Sequence, residues 1–192
     1  VLIDITKDAQ FEILNNFAYK KCKNIRSYFS VPETDPKSLT SAAELINKAK
    51  KPFIVWGQGV ILGNAEVEFK NFIEKTGIPS AWTILGVSAI PTDHPLNVGM
   101  LGMHGNYGPN VLTNECDLLI AIGMRFDDRV TGNLNSYAKQ AKIIHFEIDP
   151  AEIDKNVLVD VPVLGDVKNT LSEILDLVNK NNHNDWLAKF SE

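Results

Sequence analysis

Apolar and polar positions alternate along this chain in two rhythms. Leu118 to Gly123 is a nearly unbroken apolar run, short enough for a strand buried on both faces. Phe53 to Trp56, Pro79 to Ile84, Lys142 to Ile148 and Val161 to Leu164 read as further strands. Between them the spacing is helical. Ala42, Leu45, Ile46 and Ala49 share one face, behind a capping box at Ser41-Ala42-Ala43-Glu44 and ahead of the stop Lys50-Lys51-Pro52. Ala65, Phe69, Phe72 and Ile73 form a second face, with Asn64 as its cap and Gly77 as its end. Val167, Leu171, Ile174, Leu175 and Val178 form another, capped by Asp166, and a short helix is expected after Pro109. Val98 to Gly105 is glycine-rich and apolar and fits neither rhythm. Val1 to Ile5 reads as a strand, Phe11 to Phe29 has no clean period, and Val31 to Lys37, with two prolines, reads as a linker. Strands alternating with amphipathic helices predict an α/β fold with a parallel sheet covered on both faces.

Parallel strands place their carboxyl ends along one edge, so the loops that follow converge there. That edge would gather Gly57-Gln58-Gly59, Thr83-Ile84-Leu85, Arg125 to Val130, Glu147-Ile148 and Gly165-Asp166. With Gly63 the first of these reads G-x-G-x-x-x-G, a variant of the dinucleotide fingerprint, or else a tight turn. The second strand ends in Trp82-Thr83, with no carboxylate to hold a ribose 2′-hydroxyl, which disfavours ordinary NAD binding. Arg125 and Arg129 flank Asp127-Asp128. They either pair with their own loop in solvent or meet a phosphate and a carboxylate by two-pronged contacts. His104 has no second ligand at metal spacing, and His145, inside a strand, reads as a core histidine.

Composition narrows the classes. The 192 residues suffice for one core. The net charge of −5, without a basic run, argues against nucleic acid. No apolar stretch approaches the roughly 20 residues of a membrane span. Cys22 and Cys116 stand far apart, which favours a reduced, cytoplasmic setting. With no initiator Met and an opening VLIDI, the chain reads as a piece of something longer. No catalytic motif or general base announces itself.

GMRFDDRVTG, LGMHG and the ordered set VWGQG…HFEIDPAEIDK…GD resemble the central domain of acetolactate (acetohydroxyacid) synthase large subunits, which are thiamine diphosphate enzymes. R-F-D-D-R-V-T-G at Arg125 to Gly132 is the specific part. The resemblance implies a Rossmann-like, six-stranded parallel domain over 38–180, holding FAD in an extended pose. Residues 1–37 would end a pyrimidine-binding domain and its linker, and 181–192 would begin a linker to a C-terminal domain. The implied FAD contacts are Gly57, Gln58, Gly59, Thr83, Ile84 and Leu85, then Leu101, Gly102, Met103 and His104. Gly123, Met124, Arg125, Asp127, Arg129, Val130, Glu147, Ile148, Gly165 and Asp166 complete them. Met103, Asp128 and Arg129 would also line a substrate channel, Arg129 receiving the carboxylate of a 2-oxo acid.

The family decarboxylates pyruvate with thiamine diphosphate and joins the remaining two-carbon unit to a second 2-oxo acid, toward branched-chain amino acids. Its catalytic glutamate and its magnesium and diphosphate motif lie in the flanking domains, so the resemblance implies no catalytic and no metal-binding residue here. It also implies a homo-oligomer and, in some members, a regulatory subunit. Two other readings remain: a ligand-free scaffold whose crevice is filled by side chains such as Trp82 or Gln58, and the central domain of another thiamine diphosphate-dependent decarboxylase or carboligase.

Overall fold

The two runs buried along their whole length, Phe53 to Trp56 and Leu118 to Ile122, become the centre of a parallel sheet, each paired with a strand on both sides. In the computed structural model, which describes residues 2–22 and 30–191, six strands lie in the order β3-β2-β1-β4-β5-β6. They are β1 (Pro52–Trp56), β2 (Ser80–Trp82), β3 (Asn97–Met100), β4 (Leu118–Ile122), β5 (Lys142–Glu147) and β6 (Val161–Leu164). Every pairing is parallel. This is the doubly wound order whose direction reverses between β1 and β4, leaving a crevice at their carboxyl ends. The parallel sheet expected from the alternation of strands and helices, with the six strands that the resemblance implies, is present.

Period-two alternation divides the core. Ile54, Trp56, Ile120, Ile122, Ile144, Phe146 and Val163 face one side, with Leu39, Ile46, Phe69, Phe72, Leu171 and Ile174 packed over them. Phe53, Val55, Leu119, Ala121 and Ile143 face the other, under Leu112, Phe126, Tyr137 and Trp186. The first layer comes from α2 (Pro36–Lys48), α3 (Gln58–Leu62), α4 (Glu66–Thr76) and α7 (Val167–Leu175). The second is built by α5 (Tyr107–Leu112), α6 (Asp128–Thr131), α8 (Asn184–Ala188) and the loops between them.

Several elements depart from the sequence expectation. Helix α2 begins at Pro36, inside the expected linker, because Asp35 accepts the Lys37 N–H at 3.0 Å and a proline fits the first helical position. The capping box at Ser41 is therefore interior. Gln58–Leu62 is helical, where Gly57-Gln58-Gly59 reads from sequence as a fingerprint loop or a tight turn, and Asn64, expected as a cap, instead adopts φ +50° in the turn before α4. The open stretch after Leu96 supplies edge strand β3.

The chain divides into two units, Val1–Ser30 and Val31–Glu192. In the first, the expected strand Val1 to Ile5 is not seen in its described residues 2–5, which belong to no sheet; a strand without a ladder partner has no stability of its own. The unit contains α1 (Lys7–Phe11), with the Gln10 side chain donating to the Ile5 carbonyl at 2.7 Å. Residue 1 and residues 23–29, part of the stretch without a clean period, lie outside the described residues. Among the described residues no helix is long and apolar enough to cross a membrane.

Cys116 is fully buried, and burial, then the charge of Asp117, pushes its thiol up to about 12. Cys22 is exposed. A thiol reagent at neutral pH is expected to modify Cys22 in the native protein and Cys116 only after denaturation. Rapid modification of both would contradict this packing.

Candidate cofactor crevice

Register brings the site together. Trp56, Ile122 and Phe146 stand level across β1, β4 and β5, so Gly57, Gly123 and Glu147 follow side by side. The ladder continues past the strands: Gly57 N–H donates to Ile122 at 3.0 Å, Gly123 N–H to Phe146 at 3.0 Å and Gly165 N–H to Glu147 at 3.1 Å. The loops therefore leave the sheet from fixed points.

The glycines are explained first by chain packing. A Cβ on Gly59 would lie 2.6 Å from Gly123 Cα, and one on Gly57 would lie 2.6 Å from Gly123 O. Gly59 N–H donates to that same oxygen at 2.8 Å. Gly63 faces the Val167 side chain, 2.6 Å from where a Cβ would stand. The G-x-G-x-x-x-G spacing thus lets α3 sit directly on the β4 loop and α7. Bringing these backbones together without side chains also opens the cavity above them.

That cavity has a volume of about 810 Å³, toward the upper end for small-molecule and cofactor sites. Strand end by strand end, it is lined by Gly57, Gln58 and Gly59; Thr83, Ile84 and Leu85; Leu101, Met103 and His104. The remaining wall is Gly123, Met124, Arg125, Asp127, Arg129 and Val130, with Glu147, Ile148, Gly165 and Asp166. Of the positions singled out from sequence, Gly102 and Asp128 are not in the lining. Gly102 works from behind, at φ +102°, exchanging two hydrogen bonds with the Asn110 side chain at 2.8 and 3.0 Å. Asp128 is 86% exposed and stands 4.0 Å from Arg129. Leu62, Met100, Phe146 and Val167 also line the cavity and were not singled out. Their apolar side chains carry no chemical signal in sequence; only register places them there.

Two loops close one wall by holding each other. Met103 N–H donates to Arg129 O at 2.7 Å, and the Arg129 guanidinium lies 3.5 Å from the Met103 sulfur. Asp127 caps α6 through the Arg129 N–H at 3.1 Å. The Arg125 and Arg129 side chains remain 66% and 69% exposed, their carboxylate partners at 3.8 and 4.0 Å. Ion pairs this long and wet contribute little, so both guanidinia remain available to an anionic ligand. Glu147 is already engaged. One of its oxygens accepts the N–H groups of Ile148 and Asp149 at 2.9 and 3.1 Å, and the other lies 3.5 Å from His145 Nε2. Burial alone would push its carboxyl up, but these hydrogen bonds outweigh that and hold it below its ordinary value. Ile84, Leu85, Met103 and Ile148 present exposed apolar surface at the mouth. The crevice thus combines two exposed guanidinia with exposed apolar surface. Among the described residues, no three potential metal ligands cluster.

Residues 39–174 match the family profile described as "Thiamine pyrophosphate enzyme, central domain". The chain belongs to this family. Its similarity to acetolactate synthase large subunits extends over nearly its whole length. It is 44% identical to the probable large subunit of Methanocaldococcus jannaschii over 91% of this chain and 30% of that protein. With the large subunit of Corynebacterium glutamicum it shares 43% identity, over 92% of this chain and 28% of that one. A crystal structure of a protein from Mycobacterium smegmatis assigned as a thiamin diphosphate-dependent enzyme superposes with a TM-score of 0.67 and 27% identity. That match covers 82% of this thiamine pyrophosphate central domain chain and 30% of the solved one. The chain therefore spans about 30% of the length of such relatives.

Proposed function

We propose that the crevice binds FAD and that this chain is the flavin-holding part of an acetolactate-forming enzyme. The observation that carries the reading is that the switch-point cavity is open. Trp82, one candidate to fill it, packs against the core, and Gln58, the other, lies exposed at the rim. The residues present fit the ligand. Arg125, with Asp127 fixing its loop, would meet the pyrophosphate; the apolar groups of Ile84, Leu85, Met103 and Ile148 would contact the flavin; Glu147 and Asp166 stand where sugar hydroxyls could be held. Met103, Asp128 and Arg129 would form the wall of the substrate passage, with Arg129 binding a 2-oxo acid carboxylate. Thiamine diphosphate would supply the electron sink for decarboxylation and carbon–carbon bond formation. This chain's residues would bind, orient and exclude water. By this reading the isolated chain makes no acetolactate, because the glutamate and the magnesium-diphosphate motif of the family lie in other domains.

Titration with FAD tests the reading. Flavin fluorescence should change on binding, and FAD at about 100 times Kd should stabilise the fold by about 2.7 kcal/mol. Arg125→Ala should raise Kd about 10- to 100-fold, the worth of a charge-assisted contact. If saturating FAD moves neither the fluorescence nor the melting temperature, flavin binding by this chain must be given up.

A further inference from the structure

His145 reads from sequence as an ordinary core histidine, and its ring is indeed fully buried. Its contacts are less ordinary. It stands on β5 beside Ala121 of β4, whose small side chain leaves room for the ring. Nε2 lies 2.9 Å from the Met124 carbonyl and 3.5 Å from the Glu147 carboxylate. Both partners only accept, so Nε2 carries the hydrogen. Nδ1 is buried with no partner, and the Phe126 ring meets the imidazole edge-on at 5.0 Å. A buried polar ring with one nitrogen unsatisfied carries a standing cost. Packing alone would be served better by leucine.

What the ring holds is the backbone that delivers Arg125. Gly123 O is tied to Gly59 N–H at 2.8 Å, and Phe126 O accepts from the Asn156 side chain at 2.8 Å. Asp127 O accepts from Val130 and Thr131 at 3.0 and 2.9 Å. The Met124 carbonyl, immediately before Arg125, is held by His145. Carbonyl by carbonyl, the loop is thus pinned around a guanidinium that is itself exposed. We propose that His145 is a positioning residue: its Nε2–H fixes the Met124–Arg125 peptide and steadies the Glu147 carboxylate, joining the β4 and β5 walls of the crevice. The affinity consequence rests on the FAD reading; the backbone consequence does not.

The test uses the 192-residue chain with His145→Leu, which removes the donor, and His145→Gln, which restores one. Without ligand, nitrogen NMR should show a hydrogen on His145 Nε2. In His145→Leu the amides of Val130 and Thr131 should exchange at least about 10-fold faster than in wild type, those of Phe72 and Ile73 in α4, on the other face of the sheet, being unchanged. His145→Gln should reverse most of this. For FAD, His145→Leu should raise Kd about 10-fold in the Arg125 background and by distinctly less in the Arg125→Ala background, because the part of its effect that runs through Arg125 is already lost there. Unaltered exchange at Val130 and Thr131, or failure of His145→Gln to restore it, would overturn the positioning role even if FAD binds. Fully additive losses would overturn its route through Arg125. If wild type binds no FAD, the flavin reading falls, and the exchange measurement alone decides the role of His145.

Discussion

Gly123→Val should lower the melting temperature by roughly 10 °C or prevent folding. At this position the backbone has φ +56°, and an added Cβ would come within 2.8 to 2.9 Å of Gly59 Cα, Gly59 C and Val60 N. All three are backbone atoms of a helix that rests on the sheet, so no side chain can rotate away. Overpacking costs about 1–3 kcal/mol and a left-handed backbone about 1–2 kcal/mol more, each kcal/mol being worth about 2–4 °C in a chain of this size. Gly132→Ala provides the control. Its backbone, at φ +57° and ψ −123°, itself disfavours a side chain by about 1–3 kcal/mol, but nothing lies within 4 Å of its added Cβ, so only that backbone cost remains. Thermal denaturation should place Gly132→Ala well above Gly123→Val. Equal melting temperatures would mean that the close approach of α3 and the β4 loop contributes nothing.

Trp186→Ala should cost about 3–5 kcal/mol, the usual range for deleting a buried aromatic side chain. The indole is 5% exposed and donates to Pro52 O at 2.9 Å. Its ring stands 5.2 Å from Phe190, which in turn stands 4.9 Å from Phe53 on the central strand. Lys51 adds its ammonium 5.5 Å from the indole. Without Trp186, the segment carrying α8 loses its anchor and the Phe53 face of the sheet becomes wet. These contacts lie at the amino end of β1, opposite the crevice. Stability and binding should therefore separate: Trp186→Ala should melt far earlier yet hold FAD with near-wild-type Kd at low temperature. Arg125→Ala should do the reverse. A large affinity loss in Trp186→Ala measured where the protein is folded would show that the two ends of the sheet are coupled.

Much of the architecture was legible because buried parallel strands declare themselves. Leu118 to Ile122 and Phe53 to Val55 carry no polar residue and are buried throughout, and no competing helical face fits so short a run. The Asp166 cap of α7 was equally plain, its carboxylate accepting two N–H groups. Helix α3 was hidden because G-x-G suggests a turn; its five residues are held by packing on Gly123 and α7, which local propensity does not register. Edge strand β3 was hidden because Asn97–Met100 is half-buried and contains a glycine at φ +106°. In the crevice, residues with chemical character announced themselves, whereas Leu62, Met100, Phe146 and Val167 did not.

By itself, then, the sequence determined the α/β alternation, the strands that cannot face water and the charged loop after β4. Those are consequences of local pattern: burial on two faces demands apolar runs, and caps and charges are written in adjacent residues. Only the tertiary structure decided the remainder. It set Gly59 against Gly123, turned Gly102 to the back of its loop, left Asp128 outside the cavity, and placed His145 against the carbonyl that precedes Arg125. Each of those depends on register between strands distant in sequence. No local pattern encodes which side chain will stand opposite which carbonyl.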